Sequence, residues 1–514
     1  MPHRTIIRAG RGGGYGGARG GGLSGARGGG FAGSQGSLSA SRSGGWGYFL
    51  FAFFLAGVVG LLMAQEVQVG LGLTGAIIGG VLMIACMLDT MTGLAINMIF
   101  SFTCFHLSRW LFNDTLAVGT IDDIIVFSTL IGLFLRRVPM KATFQSFVHN
   151  RAVVWFIIYM AYGILEAANP YAHSIQGWVL GFRAMLGTYV LLYTAYVAFD
   201  TRANVRRFIW IFFWGCLVVG LYGCWQEWFG LSDMERNWVM SDDLRFGLIF
   251  IAGTFRKFSM LSDPTAFGLL MAAAALFFTI YSSVEKGRAR WIMRLGLIPM
   301  YLGMAYSGTR TADGMIVAGL GFYILLTLHR RATRIMAVVA TLVFLFLLFV
   351  PYYSNNTLNR FRSTFSATQD QSYIVREDNR HFIQPYIWNH PIGGGLCTTG
   401  VHGTQYNPGH PLAGFPPDNG YLEKALETGS IGLALICLLY FFVLRTGIRA
   451  YFRATQQEDK VLAAGCTVAI FSLYAATYSQ VALGQLSDNI LYYPFIAILL
   501  RIGHFKKPDA SGAA

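Results

Sequence analysis

The sequence predicts an all-α polytopic membrane protein, on three observations. Of 514 residues, 54% are apolar and only 12% are charged, whereas about a quarter of a soluble chain is charged. Several apolar runs reach the length of about 20 residues that a helix needs to cross a bilayer. These runs are near-continuous, as in spanning helices, and do not alternate as the strands of a closed barrel would. Mean hydropathy is +0.49.

In chain order, residues 1–45 form a Gly/Ser/Ala/Arg tail, densest in GRGGGYGGARGGG, with no acidic residue from Arg8 to Gly45. Such a composition cannot bury a core, so the tail is expected to be disordered and cytoplasmic. Its arginines suit RNA or anionic lipid, and the simpler reading is a topological anchor with no nucleic-acid partner. Its length and the further spans behind it argue against a cleavable signal.

Spans are expected near 46–64, 71–88, 93–111, 121–135, 152–168, 179–199, 208–229, 264–282, 292–306, 311–328, 335–353, 428–444, 461–483 and 489–502. The expectation is about 12–14 transmembrane helices. They divide into a domain at 46–353, a large external loop at 354–420 and a C-terminal helical part at 421–514. Each run is bounded by charged or turn-forming residues, and the charges orient the set. Arg136, Arg137, Arg202, Arg206, Arg207, Lys286, Arg288, Arg330, Arg331, Arg445, Arg449, Arg453, Lys506 and Lys507 all fall in turns on one side. Cytoplasmic turns are rich in Lys and Arg, so both termini are expected inside. The formal charge of +14 then reflects topology.

That orientation leaves 230–263, 307–311 and 354–420 outside. There, Arg236, Arg245, Arg256, Lys257, Arg310, Arg360, Arg362, Arg376 and Arg380 run against the topology bias, with Arg183 near the outer start of its span. Pairing with nearby acids is one reason for them. Binding an anionic ligand is the other, because guanidinium presents a fixed fork of donors to phosphate. The loop also holds His381, His390, His402 and His410, but no HxxxH or CxxC spacing occurs, so neither a metal nor a cofactor is expected. Cys397 is alone in the loop and the other six cysteines lie in apolar spans, so no disulfide framework is expected.

Two segments stand out from this scaffold. In GTFRKFSMLSDPTAFG (253–268), Asp263 before Pro264 reads as a helix N-cap. In SGTRTA (307–312), Arg310 sits at a turn between two spans, where an ionisable group is costly and marks function. The segment SYIVREDNRHFIQPYIW (372–388) can form a helix with Arg376 and Arg380 one turn apart. That helix is either a ligand-facing one or a solvated one paired with Glu377 and Asp378.

The order GTFRKFSMLSDPTAFG, SGTRTA, HPIGGGL, PDNGYLEKALETGSIG resembles the O-antigen ligase and polymerase superfamily over roughly residues 180–500. The resemblance implies a GT-C-like membrane glycosyltransferase of the bacterial inner membrane. Such an enzyme transfers glycan from a polyprenyl-pyrophosphate donor to a glycan, lipid or protein acceptor on the external face, without nucleotide sugar or an obligatory metal. Arg256 and Arg310 match the family's motif arginines, with Arg245 an alternative for the first. Arg183 and Arg380 are further candidates for the pyrophosphate by position. The family's acceptor-side histidine is replaced here by Asp418, so the base is Asp418, or His410 eight residues earlier, unless Asp418 is only a helix cap. A transporter or flippase for lipid-linked glycans is the alternative, but it would carry polar groups along a central pathway. The spans 335–350 and 428–444 are nearly free of charge, which favours the enzyme over the flippase. A structural protein with a sensing loop is a third reading, and it needs no functional Arg310.

Overall fold

A computed structural model describes residues 67–112, 114–136, 140–251, 253–349, 362 and 371–505. The expected tail, the span at 46–64 and most of 350–370 lie outside the described residues. The chain divides into a unit Met1–Thr74 and a unit Gly75–Ala514, and the site lies wholly in the second.

The helices are α1 (Val67–Leu88), α2 (Thr90–Phe112), α3 (Val118–Leu135), α4 (Met140–Val148), α5 (Arg151–Leu165), α6 (Ile175–Ala198), α7 (Arg202–Phe229), α8 (Asp233–Met240) and α9 (Asp243–Ile249). They continue with α10 (Pro264–Tyr281), α11 (Gly287–Tyr306), α12 (Arg310–Thr327), α13 (Arg331–Phe349), α14 (Gln371–Asn389), α15 (Gly400–Tyr406), α16 (Gly420–Arg453), α17 (Gln457–Thr477) and α18 (Leu486–Arg501). Each span expected over the described residues meets a helix, although the helix at the expected 461–483 ends at Thr477, and eight of the described helices are long and apolar enough to cross a membrane. The protein is an all-α polytopic membrane protein.

Helices α10 and α17 form the centre. They pack on each other, and α10 also packs on α11, α12 and α18. Their sequences explain the position. The run Ala272–Ala275 and the segment Ala463–Cys466 are small-residue surfaces that let backbones approach, which is how helices associate where lipid removes the hydrophobic drive. Gly223 of α7 and Gly303 of α11 open the slot that the Phe267 ring fills, since a Cβ at either would fall 2.3 or 2.8 Å from that ring.

Two ends are distinct. At the basic end, Arg202 pairs with Asp459 at 2.7 Å, Arg206 with Glu285 at 2.7 Å, and Arg501 donates to the Tyr196 carbonyl at 2.7 Å. Turns read from sequence as cytoplasmic are thereby gathered. At the opposite end, α8, α9 and a hairpin of β1 (Phe250–Ile251) and β2 (Thr254–Phe255) build a small layer around Leu231, Val239, Ile249 and Phe258. A capping box between Ser232 and Glu235 starts α8. Arg109 of α2 ties this layer down by donating to the carbonyls of Leu261 and Ser262 at 2.6 Å each, with its guanidinium 3.9 Å from the Trp238 ring centre.

Candidate active site

The first wall of the site is the turn between α11 and α12. Asp263 caps α10 as expected, its Oδ1 accepting from Thr265 N at 2.8 Å and Ala266 N at 3.0 Å. Gly308 takes φ +60° in the turn, and Ser307 Oγ folds back onto the Met304 carbonyl at 2.6 Å. Thr309 Oγ1 donates to the Pro264 carbonyl at 3.0 Å, which fixes the turn on the start of α10. A side chain at Gly268 would place its Cβ 2.4 Å from Ser307 Oγ, so only glycine admits this approach. Arg256 then clamps the turn: Nε donates to the Ser307 carbonyl at 3.0 Å, Nη2 to Thr309 Oγ1 at 2.8 Å and Nη1 to the Leu248 carbonyl at 3.3 Å. Arg310 follows as the first residue of α12, half-buried, where the helix dipole adds positive potential.

The second wall is α14 with the turn after α17. Thr311 and Ser479 hydroxyls meet at 2.9 Å, and Arg376 Nη1 donates to the Ser479 carbonyl at 3.3 Å. Arg380 sits 5.8 Å from the Tyr478 ring centre and pairs with Glu377 at 3.1 Å. Asn379 Nδ2 donates to Asp418 Oδ2 at 3.4 Å. The α14 arginines are therefore linked to Arg310 through its neighbour Thr311, and to Asp418 through Asn379. The cap of α16 is Asn419, whose side chain accepts from Leu422 N at 2.7 Å. Asp418 is left half-buried, with its carboxylate unused for capping.

The third wall joins the HPIGGGL and ETGSIG motifs. Helix α16 breaks at Gly429, with φ 68° and ψ −172°, and residues 391–395 enter the break. Gly394 N donates to the Leu426 carbonyl and Gly395 N to the Glu427 carbonyl, both at 2.8 Å. Beneath them Lys424 Nζ lies 3.0 Å from Glu423 and 3.8 Å from Glu427, while Thr399 Oγ1 donates to Glu427 Oε1 at 2.9 Å.

The remaining sequence candidates are placed elsewhere. Arg183 pairs with Asp123 and donates to Thr120 Oγ1 of α3, both at 3.0 Å. Arg245 stacks 4.2 Å from the Trp238 ring centre and donates to the Trp238 carbonyl at 2.6 Å, inside the small layer. His410 is buried against His173, and its Nδ1 accepts from Leu412 N at 3.1 Å. Burial, then the His173 ring, pushes its imidazole from 6.5 down to about 4. A histidine held neutral contributes stability that is complete above 6.5 and is lost as pH falls towards 4, because the unfolded chain binds the proton first. The melting temperature is thus expected to fall between pH 7 and pH 4.5. His410→Gln is expected to melt lower at pH 7 but with a flatter pH dependence in the same scan.

Sequence reasoning missed Asp488 of α18. It is 1% exposed, both carboxylate oxygens lack a hydrogen-bond partner among the described residues, and Asp263 is within electrostatic range. An acid in the first turn of the last helix, next to the apolar run at 489–502, was the available signal.

Arg256, Arg310, Arg376, Arg380 and the carboxylate of Asp418 are thus gathered at one end of the helical bundle. Residues 295–437 match the family model described as O-antigen ligase. That match, over less than a third of the chain, supports the resemblance to the O-antigen ligase and polymerase superfamily and indicates a membrane glycosyltransferase of that type. The matched stretch contains Arg310, Arg380, His410 and Asp418, while Arg256, Arg245 and Arg183 precede it. No curated protein matches the chain.

Proposed function

We propose that the protein transfers or polymerises glycan from a polyprenyl-pyrophosphate donor onto an acceptor hydroxyl, at the external face of the bacterial inner membrane. The carrying observation is the convergence of the Arg256-clamped turn, Arg310, the arginines of α14 and Asp418. Attack of the acceptor oxygen on the anomeric carbon breaks the bond to the pyrophosphate oxygen, with inversion. The acceptor proton passes to Asp418, and the electron pair leaves with the lipid pyrophosphate. Arg310, with Arg376 and Arg380, is placed to stabilise the charge that develops there, the work a divalent ion does in other transferases.

Arg256 acts in this reading as a positioning residue, because its donors are spent on the turn that presents Arg310. Asp418 is preferred over His410 as base, since the imidazole is buried with its Nδ1 occupied. Asp418→Asn is expected to lower transfer by about 10²–10⁴, the usual worth of a general base, with the KM for the lipid-linked donor little changed. Purified protein in liposomes with lipid-linked glycan measures this, and wild-type turnover in the variant would remove Asp418 from the mechanism. In a deletion strain, loss of long chains alone marks a polymerase, and free lipid-linked polymer marks a ligase.

A further inference from the structure

The basic end of the bundle, at the far ends of α5 and α16 from Asp418, holds a cavity of about 950 Å³ that glycan transfer does not use. Its lining includes Asn150, Thr201 and Gln456, the N-cap residues of α5, α7 and α17. Three helix N-termini therefore open onto one space. The Asn150 and Gln456 side chains make no capping bond, so first-turn N–H groups of α5 and α17 are not satisfied by their cap side chains.

Arg151, Arg449 and Arg453 also line the cavity, and Arg449 lies in the field of Arg445, Arg151 and Arg453. None of Arg151, Arg449 and Arg453 forms an ion pair among the described residues. Asp459, the carboxylate on this wall, is taken by Arg202 at 2.7 Å. Like charges at such range repel, and helix N-termini deepen the same positive potential, so the cavity is matched to an anion. A topological preference for arginine explains why these residues are at this end. It does not explain why three of them and three helix starts face one concave space.

We propose that this cavity binds the phosphate-bearing headgroup of an anionic phospholipid. Phosphate is the recognised chemistry. The volume exceeds what a single phosphate fills, and Leu499, Leu500 and Ile502 give the cavity an apolar side, with Phe452 of α16 62% exposed nearby in sequence. Basic pockets between spanning helices are suited to such headgroups.

The test uses the full chain in neutral detergent, titrated separately with phosphatidylglycerol, phosphatidylcholine and inorganic phosphate, read by thermal shift and native mass spectrometry. Phosphatidylglycerol is expected to bind and raise the melting temperature while phosphatidylcholine does not. Arg449→Gln/Arg453→Gln is expected to weaken that binding at least tenfold. A milder Arg453→Gln is expected to weaken it less, with an unchanged elution profile showing that the fold persists. An equal response to inorganic phosphate would overturn the lipid assignment and leave a soluble phosphate compound as ligand. Equal binding of phosphatidylglycerol by wild type and both variants would overturn the site itself. Because binding is read without turnover, failure here is distinct from failure of the transferase reading.

Discussion

Arg310→Ala is expected to reduce glycan transfer by about 10²–10³, the loss seen when one preorganised charge-stabilising donor is removed. The side chain follows a turn held by Thr309 on the Pro264 carbonyl and by Arg256 on the Ser307 carbonyl, so its backbone is fixed before substrate arrives. Fixed groups cost no reorganisation as the pyrophosphate charge develops. Arg310→Lys keeps the charge but loses the bidentate fork, and is expected to fall between wild type and alanine. Arg256→Ala separates presentation from contact. It removes two hydrogen bonds from the turn and one to α9, so transfer and melting temperature should fall together, whereas Arg310→Ala should lower transfer far more than it lowers the melt. Transfer by purified variants at matched abundance, paired with melting curves, decides this. A wild-type rate in Arg310→Ala would refute the donor assignment and favour the structural reading of the loop.

What could be read from sequence follows the range of the interactions involved. Spans were legible because each is a local apolar run. The Asp263 cap and the Ser307–Thr309 turn were legible because capping and turns are settled within a few residues. The α14 helix was legible as a helix, but not which way Arg376 and Arg380 would face. That direction depends on Ser479 and Tyr478, a hundred residues downstream. Arg183 and Arg245 satisfied the same sequence criterion as Arg310, arginine outside the membrane. Their partners, Asp123 and the Trp238 ring, are supplied by tertiary packing. His410 and Asp418 were equivalent candidates until burial distinguished them. The identity of the α16 cap turned on one residue: Asp418 and Asn419 can both cap, and only the geometry assigns that work to Asn419.

The break in α16 is where a single atom should matter most. Gly429→Ala is expected to unfold or inactivate the protein. With φ 68° and ψ −172°, Gly429 occupies a region that is essentially closed to residues with a Cβ, at a cost on the order of 1–3 kcal/mol. The added Cβ would also fall 2.0 Å from the Pro391 carbonyl oxygen and 2.5 Å from Gly393 N. Both are backbone atoms, so no rotamer change relieves the contact. Relief requires residues 391–395 to leave the break in α16, which breaks the Gly394 and Gly395 hydrogen bonds and loosens the loop that carries Asp418. Gly321→Ala in α12 is the matched control, because its Cβ meets nothing within 4 Å and its helical backbone accepts alanine, with a gain of up to about 1 kcal/mol. Melting and transfer measured on both variants should therefore move in opposite directions or leave Gly321→Ala unchanged. If Gly429→Ala matched wild type in both, the two motifs could not be mated as described, and the third wall of the site would have to be rebuilt.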